Sequence, residues 1–360
     1  MNVSQILGSI MRLATALGGA AALGSAALLV HRRLLSSTAV RRLRSKVTFE
    51  TLDVFSSARF GGNPLAVVLD KECCLSDQDM QRIAAEFGYS ETTFVLPPRD
   101  CENTAWVRIF SPTSEMPFAG HPNVGTATVL AWHGEAFGRM VDGTVRLEEQ
   151  AGIVPLEILR DADGTPVGAF LTAPEAFTIT EPCLPVNTIA ACLGLDSSDI
   201  CTAHHPPLVG TTGLPFIVVE LNDLDALQRS RGCPSPFAEA RSAGKALATS
   251  PPKILAYVAT DGAADADIRC RMHRADGTED AGTGSANCVL MGLLASLSPP
   301  PAGATATVAK RIVQGVEMGR RSELLGEAER LREGECAACV GAVRIGGQCA
   351  PVSRGELVGW

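Results

Sequence analysis

The chain has 360 residues, of which 46% are hydrophobic and 19% are charged, a composition that is typical of globular proteins and excludes disorder. Residues 1–48 carry seven basic side chains and no acid, which leaves 24 of the 31 basic residues against all 39 acidic ones, a net charge of -15. The remaining residues, 49–360, are therefore too acidic to bind nucleic acid well, because phosphate contacts need Lys and Arg. The twelve cysteines are scattered, and the single C-x-x-C pair, Cys336 and Cys339, lacks the second pair of a zinc motif. We therefore predict reduced cysteines and no metal site.

The first 46 residues have the pattern of a separate segment. Residues 13–30 form an uncharged run rich in Ala and Gly, and a basic stretch with Ser and without acids follows. This pattern is typical of a mitochondrial or plastid transit peptide, and it also fits a signal anchor whose basic flank stays cytosolic. Two locations therefore stay open: an organelle, or a membrane-anchored protein whose soluble body is cytosolic and which contacts the membrane through this segment.

From Val47 the sequence alternates between strand and helix patterns. Strands are predicted at 47–55, 61–70, 92–98 and 105–112. Between the second and the third of these, Ser76 is a suitable N-cap with Asp79 three residues later, and apolar residues recur on one helical face. Another helix is predicted after His121, where no residue from Pro122 to Trp132 is charged. A helix that is apolar all round must be buried all round.

The second half of the chain repeats this order. Segment 213–221 has the Gly-x-Pro start and the apolar run of segment 62–70, and segment 267–294 follows the plan of 105–132. Because the two repeats have similar separations, they indicate an internal duplication. We predict an α+β fold of two pseudo-symmetric lobes, each with a central buried helix. The predicted domains are 1–46 for the terminal segment, 47–190 for the first lobe and 191–360 for the second, with strands that can cross between the lobes.

Two central helices related by pseudo-symmetry can point their N-termini into one cleft. A helix N-terminus presents unpaired N–H groups and the positive end of a dipole, which attract a carboxylate or a phosphate. Glycines mark both helix starts, and they would allow a ligand close to the backbone or serve only to cap and pack the helices: Gly120, Gly125, Gly282 and Gly284. Because the motif occurs twice, we predict an anion site.

Residues that can transfer protons accompany both helix starts. Glu91 lies where a helix gives way to a strand, His121 opens the first uncharged helix, and Asp280 precedes the second. Each also has an ordinary explanation as a solvated loop Glu, a buried His or an acid beside a helix dipole. Together in an anion-binding cleft they would suit proton transfer without a cofactor. The sequence contains no phosphate-binding loop, dinucleotide fingerprint, H-E-x-x-H or G-x-S-x-G motif.

These stretches resemble the PhzF-like family, named for the isomerase of phenazine biosynthesis, which shares the two-lobed diaminopimelate epimerase fold. The similarity covers the chain from Val47 onwards. It runs through "DVFSSARFGGNPLAVVLD", "AAEFGYSETTFVLPP", "RIFSPTSEMPFAGHPNVGTA", "EDAGTGSANCVL" and "VQGVEMGRRSELL". The resemblance implies a barrel-like sheet around each central helix, an isomerase that needs no cofactor, and a homodimer.

The resemblance also implies roles for individual residues. Glu91 in "SETTF" matches the acid–base group that moves a proton between two substrate carbons, and His121 and Asp280 match groups that polarise and help to protonate the substrate. The implied substrate-binding residues are Gly120, Asn123, Gly284 and Ser285.

The chain departs from the family pattern at both helix starts. The usual "EDPATGSA" here has Ala281 and Gly282 in place of Pro and Ala, and the usual "GHAT" continues after His121 with Pro122 and Asn123. These changes affect the predicted cleft lining. The substrate is therefore expected to be a small carboxylate-bearing metabolite whose identity stays open.

Two other functions stay open. Epimerases and racemases of this fold use one cysteine at each helix start, whereas here Cys288 lies several residues past the second start and has no counterpart in the first. A two-thiol amino-acid epimerase is therefore the weaker alternative. The other is a non-catalytic binding or scaffold protein that kept the fold, and the joint presence of Glu91, His121 and Asp280 argues against it.

Overall fold

The structure is a computed structural model that describes residues 47–180, 185–243, 252–260, 266–299, 305–332 and 339–358. The predicted targeting or anchor segment, 1–46, lies outside these ranges. The main compact unit is Phe49–Gly355. In the described ranges, no helix is both long and apolar enough to cross a membrane.

The described residues form strands and a smaller number of helices. The strands are β1 (Val47–Val54), β2 (Asn63–Leu69), β3 (Glu91–Leu96), β4 (Ala105–Phe110), β5 (Glu115–Met116), β6 (Glu135–Ala136), β7 (Arg139–Met140), β8 (Thr144–Glu149), β9 (Gly152–Arg160), β10 (Pro166–Thr172), β11 (Thr178–Thr180), β12 (Leu208–Thr211), β13 (Pro215–Glu220), β14 (Lys253–Ala259), β15 (Ile268–Arg274), β16 (Glu279–Asp280), β17 (Thr305–Gln314), β18 (Ser322–Leu331) and β19 (Val340–Leu357). The α-helices are α1 (Asp77–Phe87), α2 (Gly120–His133), α3 (Val186–Leu193), α4 (Leu224–Arg229), α5 (Pro234–Ala243) and α6 (Gly284–Leu297).

The first lobe is a closed barrel of eight strands around α2. Its strands pair in the ring β1, β2, β3, β4, β8, β9, β10 and β19, and β19 pairs with β1 to complete the circle. Strand β19 comes from the C-terminal end of the chain, so this barrel uses the crossing of strands that the sequence prediction allowed. The boundary at residue 190 stays a prediction.

The second lobe repeats the strand pairing of the first, which confirms the duplicated plan. In the first lobe β2 pairs with β3 in parallel, β3 with β4 antiparallel, β4 with β8 in parallel, and β8 with β9 antiparallel. In the second lobe the same sequence of directions joins β13, β14, β15, β17 and β18. Strand β18 also pairs with β19, so one strand serves both sheets.

The two central helices are buried as their uncharged sequences require. Both have 14 residues, and α2 is buried from Gly120 to Ala131 while α6 is buried along most of its length. Residues of both helices belong to one apolar cluster with the inner faces of the strands. Pro122 fits the first turn of α2 because its missing N–H would have no partner inside the helix.

The peripheral helices follow their sequence signals. Helix α1 begins after Ser76, whose side chain accepts a hydrogen bond from the Asp79 backbone while the Asp79 carboxylate accepts one from the Ser76 backbone. This is the predicted capping box. Helices α3, α4 and α5 cover the outer face of β13 and β14 with a second apolar cluster. The second sheet is therefore packed on both faces, so a ligand can reach it at the ends of its strands.

Candidate active site

The N-termini of α2 and α6 lie against each other. A methyl group at Gly120 would be 3.3 Å from the Ser285 backbone nitrogen and 3.6 Å from the Gly284 Cα. Neither N-cap residue, Ala119 or Thr283, makes a side-chain capping hydrogen bond. Backbone N–H groups of both first turns therefore stay available for an anion. The predicted convergence of the two helix starts is confirmed.

A cavity of about 60 Å³ opens at the two helix starts. It has room for about four to six water-sized groups, enough for a carboxylate and the atoms next to it. Six of the seven residues that the sequence predicted for the site line it: Glu91, Gly120, His121, Asp280, Gly284 and Ser285. Its walls also include apolar side chains from both lobes: Met116, Phe118, Leu214, Phe216 and Met272.

Glu91 and His121 face each other in this cavity. The Glu91 Oε2 atom lies 3.5 Å from the His121 Nε2 atom, and only 12% of the Glu91 side chain is exposed. Glu91 occupies the first position of β3, so the strand backbone holds it at the cavity while its carboxylate reaches inward. Burial lowers the pKa of His121, and the opposing fields of Glu91 and Asp280 do not reverse that effect. His121 is therefore neutral at neutral pH.

Asn63, at the start of β2, determines which nitrogen of His121 carries the proton. The Asn63 Nδ2 atom lies 3.1 Å from Asp280 Oδ1 and 3.0 Å from the carbonyl oxygen of Gly282, and both oxygens accept a hydrogen bond from it. The Asn63 Oδ1 atom accepts from the Ser90 hydroxyl at 3.3 Å. Asn63 Nδ2 is therefore the amide nitrogen, and its two hydrogens are donated to these two oxygens. A protonated His121 Nδ1, 3.4 Å away, would face this amide donor to donor, so the unprotonated Nδ1 is the form that fits here. The proton of neutral His121 then lies on Nε2, which lies 3.5 Å from Glu91 Oε2 and has no hydrogen-bond partner among the described residues.

Asp280 is held in a network that leaves its carboxylate little freedom. Its Oδ2 atom accepts from the Thr283 hydroxyl at 2.5 Å, and its Oδ1 atom accepts from Asn63 and lies 3.3 Å from an Arg274 nitrogen. The fully buried Gln314 donates to the Asp280 carbonyl at 2.8 Å and accepts from the Thr283 backbone at 3.2 Å. Gln314 thereby ties the acid to the start of α6. Asp280 is positioned to orient and polarise, while Glu91 is the freer carboxylate.

Two cationic residues of the cavity, Lys253 and Arg274, were not identified from the sequence. Lys253 starts β14, Arg274 ends the neighbouring β15, and these two positions are paired across the sheet. Burial lowers the pKa of Lys253, and Arg274 lowers it further, while Asp280 and Glu91 oppose the shift. Both cations lie beside the helix starts and add to their attraction for an anion. Arg274 lies within the repeated segment 267–294, whereas Lys253 comes from a segment without a motif.

Comparison with known proteins identifies the family of this chain. A family model described as phenazine biosynthesis-like protein matches residues 52–355. The chain belongs to this family. It is 34% identical to an isomerase of Mesorhizobium japonicum, across 85% of this chain and 96% of that one. It is also 34% identical to the trans-2,3-dihydro-3-hydroxyanthranilate isomerase of Pseudomonas chlororaphis, across 85% of this chain and 98% of that one.

Solved structures agree with the family and the fold. A PhzF-family phenazine biosynthesis protein of Bacillus anthracis matches with a TM-score of 0.73 and 23% identity, across 87% of this chain and 99% of that one. A hydroxyproline epimerase of Agrobacterium vitis matches with a TM-score of 0.51 and 13% identity, across 87% of this chain and 93% of that one. The fold is therefore that of the PhzF proteins and of related epimerases, and the named relatives make this PhzF-family chain an isomerase.

The structure places one predicted site residue away from the cavity, and at two glycines it favours the packing role that the sequence analysis left open. Asn123 is fully buried and does not line the cavity, because it lies on another side of α2 from His121. A methyl group at Gly125 would meet the side chains of Leu65 and Val54, and one at Gly282 would meet Ser322. These two glycines therefore allow close packing and not the approach of a ligand. Gly120 and Gly284 remain at the cavity.

Proposed function

We propose that this PhzF-family isomerase moves a proton within a small carboxylate-bearing metabolite, without a cofactor, and that Glu91 carries the proton. The proposal rests on one observation. The Glu91 carboxylate and neutral His121, whose proton is on Nε2, line one small cavity together with two helix N-termini that lack a side-chain cap. Each part has a distinct task. A homodimer stays a prediction from the family resemblance.

The helix starts and Lys253 would bind the substrate carboxylate. Backbone N–H groups of the first turns of α2 and α6 converge near Gly120 and Gly284, and the positive ends of both helix dipoles point at the same space. The Lys253 ammonium lines the same cavity. A carboxylate held there would leave the rest of a small molecule near Glu91.

The proton transfer would proceed in two steps. The Glu91 carboxylate takes a proton from one substrate carbon, and the electron pair of that C–H bond shifts into a conjugated system of the substrate. Protonated Glu91 then returns the proton to another carbon, so Glu91 ends as it began. The His121 Nε2–H group can donate a hydrogen bond to the Glu91 carboxylate or to a substrate oxygen that gains negative charge.

The two-thiol epimerase is the less favoured alternative. Cys288 is buried, burial raises the pKa of its thiol to about 12, and it is not among the residues that line the cavity at the helix starts. A thiol with so high a pKa is a poor base at neutral pH. Thiol alkylation is expected to leave proton exchange intact, whereas it would abolish the activity of a two-cysteine enzyme.

The test is hydrogen exchange catalysed in deuterated water. We would follow deuterium uptake by NMR with trans-2,3-dihydro-3-hydroxyanthranilate, the compound in the name of the Pseudomonas relative, and with a panel of small unsaturated carboxylates. Glu91→Gln keeps the shape of the side chain but cannot carry the proton, and it is expected to slow exchange by about 10²- to 10⁴-fold. Glu86→Gln, an exposed change on α1, is the matched control and should exchange at the unsubstituted rate.

The outcomes separate the candidate functions. A Glu91→Gln variant within a few-fold of the unsubstituted enzyme would exclude Glu91 as the proton carrier and direct attention to Asp280. Lack of deuterium uptake by the unsubstituted enzyme with every compound would favour the non-catalytic alternative.

A further inference from the structure

A second cluster of potential ligand side chains lies outside the candidate active site. Cys201, His204 and Glu220 each offer one ligand atom, and these atoms all lie within 4.8 Å of one another. Within the ranges that the structure describes, no other group of His, Cys, Asp and Glu side chains meets this criterion. Cys201 and His204 belong to the loop before β12, and Glu220 is the last residue of β13.

This cluster lies at the opposite end of the strands from the active-site cavity. Phe216 and Lys253, near the starts of β13 and β14, line the cavity. Glu220 and Tyr257 lie four residues further along the same two strands and are paired with each other. At about 3.3 Å per residue, the two places are about 13 Å apart along the strands. The proton transfer proposed above therefore does not use this cluster.

The Glu220 carboxylate is buried without a permanent positive charge beside it. Only 7% of its side chain is exposed, and both oxygens lie 2.9 Å from His204 Nδ1. Its other ionic neighbour is His205, whose Nε2 atom is 4.0 Å from Oε2. Among the described residues no Lys or Arg forms an ion pair with Glu220. A carboxylate is costly to bury, and a bound cation at this position would compensate it.

The surroundings hold the cluster in place. The Cys201 backbone N–H donates to the Glu220 carbonyl at 2.9 Å, which fastens the start of the loop to the strand end. The His205 Nδ1 atom is 2.8 Å from the Pro206 carbonyl, so it carries a proton and donates. The Tyr257 hydroxyl lies 2.9 Å from His205 Nε2, and the two rings stack with centroids 5.9 Å apart. These contacts hold the His205 and Tyr257 side chains in place beside the cluster.

We propose that Cys201, His204 and Glu220 bind a zinc ion that fastens the 201–205 loop to the end of β13. A thiolate, an imidazole and a carboxylate are the ligand types that zinc takes, and three protein ligands leave a fourth position for water. Two ligand atoms about 2.0–2.1 Å from a tetrahedral zinc are about 3.3 Å apart. The His204–Glu220 separation is already close to this value. The His204 side chain is 69% exposed and free to turn, and the thiol releases its proton to solvent on binding.

Cobalt is a suitable probe because a thiolate bound to Co²⁺ gives a charge-transfer absorption that oxygen and nitrogen ligands do not. We would strip the full chain of metal with a chelator under reducing conditions and titrate it with Co²⁺. The expected result is a thiolate band that saturates at one equivalent and disappears when Zn²⁺ is added. Cys201→Ser should remove the band. Glu220→Gln should weaken Co²⁺ binding by more than the roughly 10- to 100-fold cost of losing an outer-shell partner.

Controls distinguish this site from adventitious binding by the other cysteines. Cys74 is partly buried like Cys201, so Cys74→Ser is the matched control and should keep the band. Zn²⁺ should also raise the thermal unfolding midpoint of the unsubstituted chain and of Cys74→Ser, but not that of Glu220→Gln. Absence of a saturating thiolate band, or a band that survives Cys201→Ser, would show that His204 and Glu220 form an ordinary ion pair. Neither readout depends on isomerase activity.

Discussion

Glu148 and Glu149, adjacent at the end of β8, lie in opposite environments. Replacing each of them with Gln is therefore expected to change the stability of the protein in opposite directions. Glu148 accepts three hydrogen bonds: from the Arg99 backbone at 2.9 Å, from the Asp100 backbone at 2.8 Å and from the Asn103 side chain at 3.0 Å. Burial alone would raise the pKa of Glu148, but these bonds outweigh it and the pKa is lowered. The folded state therefore favours the ionised form of this side chain.

Glu149 points to the other face of the strand and lacks such partners. Both carboxylate oxygens are buried, and neither has a hydrogen-bond partner among the described residues. Burial raises the pKa of Glu149 from 4.5 to about 8, and the nearby Asn123 amide opposes the shift only in part because no well-formed hydrogen bond joins the two side chains. The folded state therefore favours the protonated form of this side chain.

The size of the Glu149 effect follows from proton linkage. Between pH 4.5 and 8 the unfolded chain releases the proton of Glu149 while the folded chain keeps it. Each pH unit in that window lowers the free energy of unfolding by about 1.4 kcal/mol. At pH 7 the upper limit of the loss is therefore about 3.4 kcal/mol. Glu149→Gln removes the titration, so the variant should be more stable than the unsubstituted protein at pH 7, by an amount that falls to at most about 0.8 kcal/mol at pH 5.

The assay is urea unfolding at pH 5, 6 and 7.5. Glu148→Gln is the matched control because it makes the same chemical change one residue away. It should destabilise the protein by a similar amount at all three pH values, because the lowered pKa of Glu148 lies below the assayed range. A constant difference between Glu149→Gln and the unsubstituted protein at all three values would refute the argument, since a solvated Glu149 that titrates alike in the folded and unfolded states has no such pH dependence.

Three further substitutions follow from the packing around the cavity and the central helices. Gly120→Ala puts a methyl group 3.3 Å from the Ser285 backbone nitrogen and should raise KM in steady-state kinetics with little change in the thermal midpoint; an unchanged KM would place the ligand elsewhere. Asn63→Leu removes the donor of two buried acceptors and should cost about 1–3 kcal/mol in urea unfolding, a result that a neutral change would contradict. Gly292→Ala brings a methyl group within 2.4 Å of the Phe177 ring and should cost about 1–3 kcal/mol by calorimetry, whereas unchanged stability would mean that the ring moves freely.

Much of the candidate site could be predicted because its acid–base residues belong to motifs at element boundaries. Glu91 opens a strand, and His121 and Asp280 accompany the starts of the two uncharged helices. Lys253 and Asn63 could not be singled out in this way. Their importance comes from partners far away in the chain, such as Asp280, which lies 217 residues from Asn63.

The sequence by itself determined the repeated order of strands and helices, the burial of α2 and α6, and the meeting of their starts. This was possible because an uncharged helix of 14 residues has no charged face that favours exposure to water, so it must be buried. A repeated sequence pattern likewise indicates that both helices lie in similar environments. Only the tertiary structure decided which side chains share the cavity, that Asn63 directs the proton of His121, and that Asn123 faces away. These outcomes depend on the relative rotation of elements from two lobes and on β19, which closes the first barrel from the far end of the chain. No local pattern of residues carries that information, because the contacts join segments hundreds of residues apart.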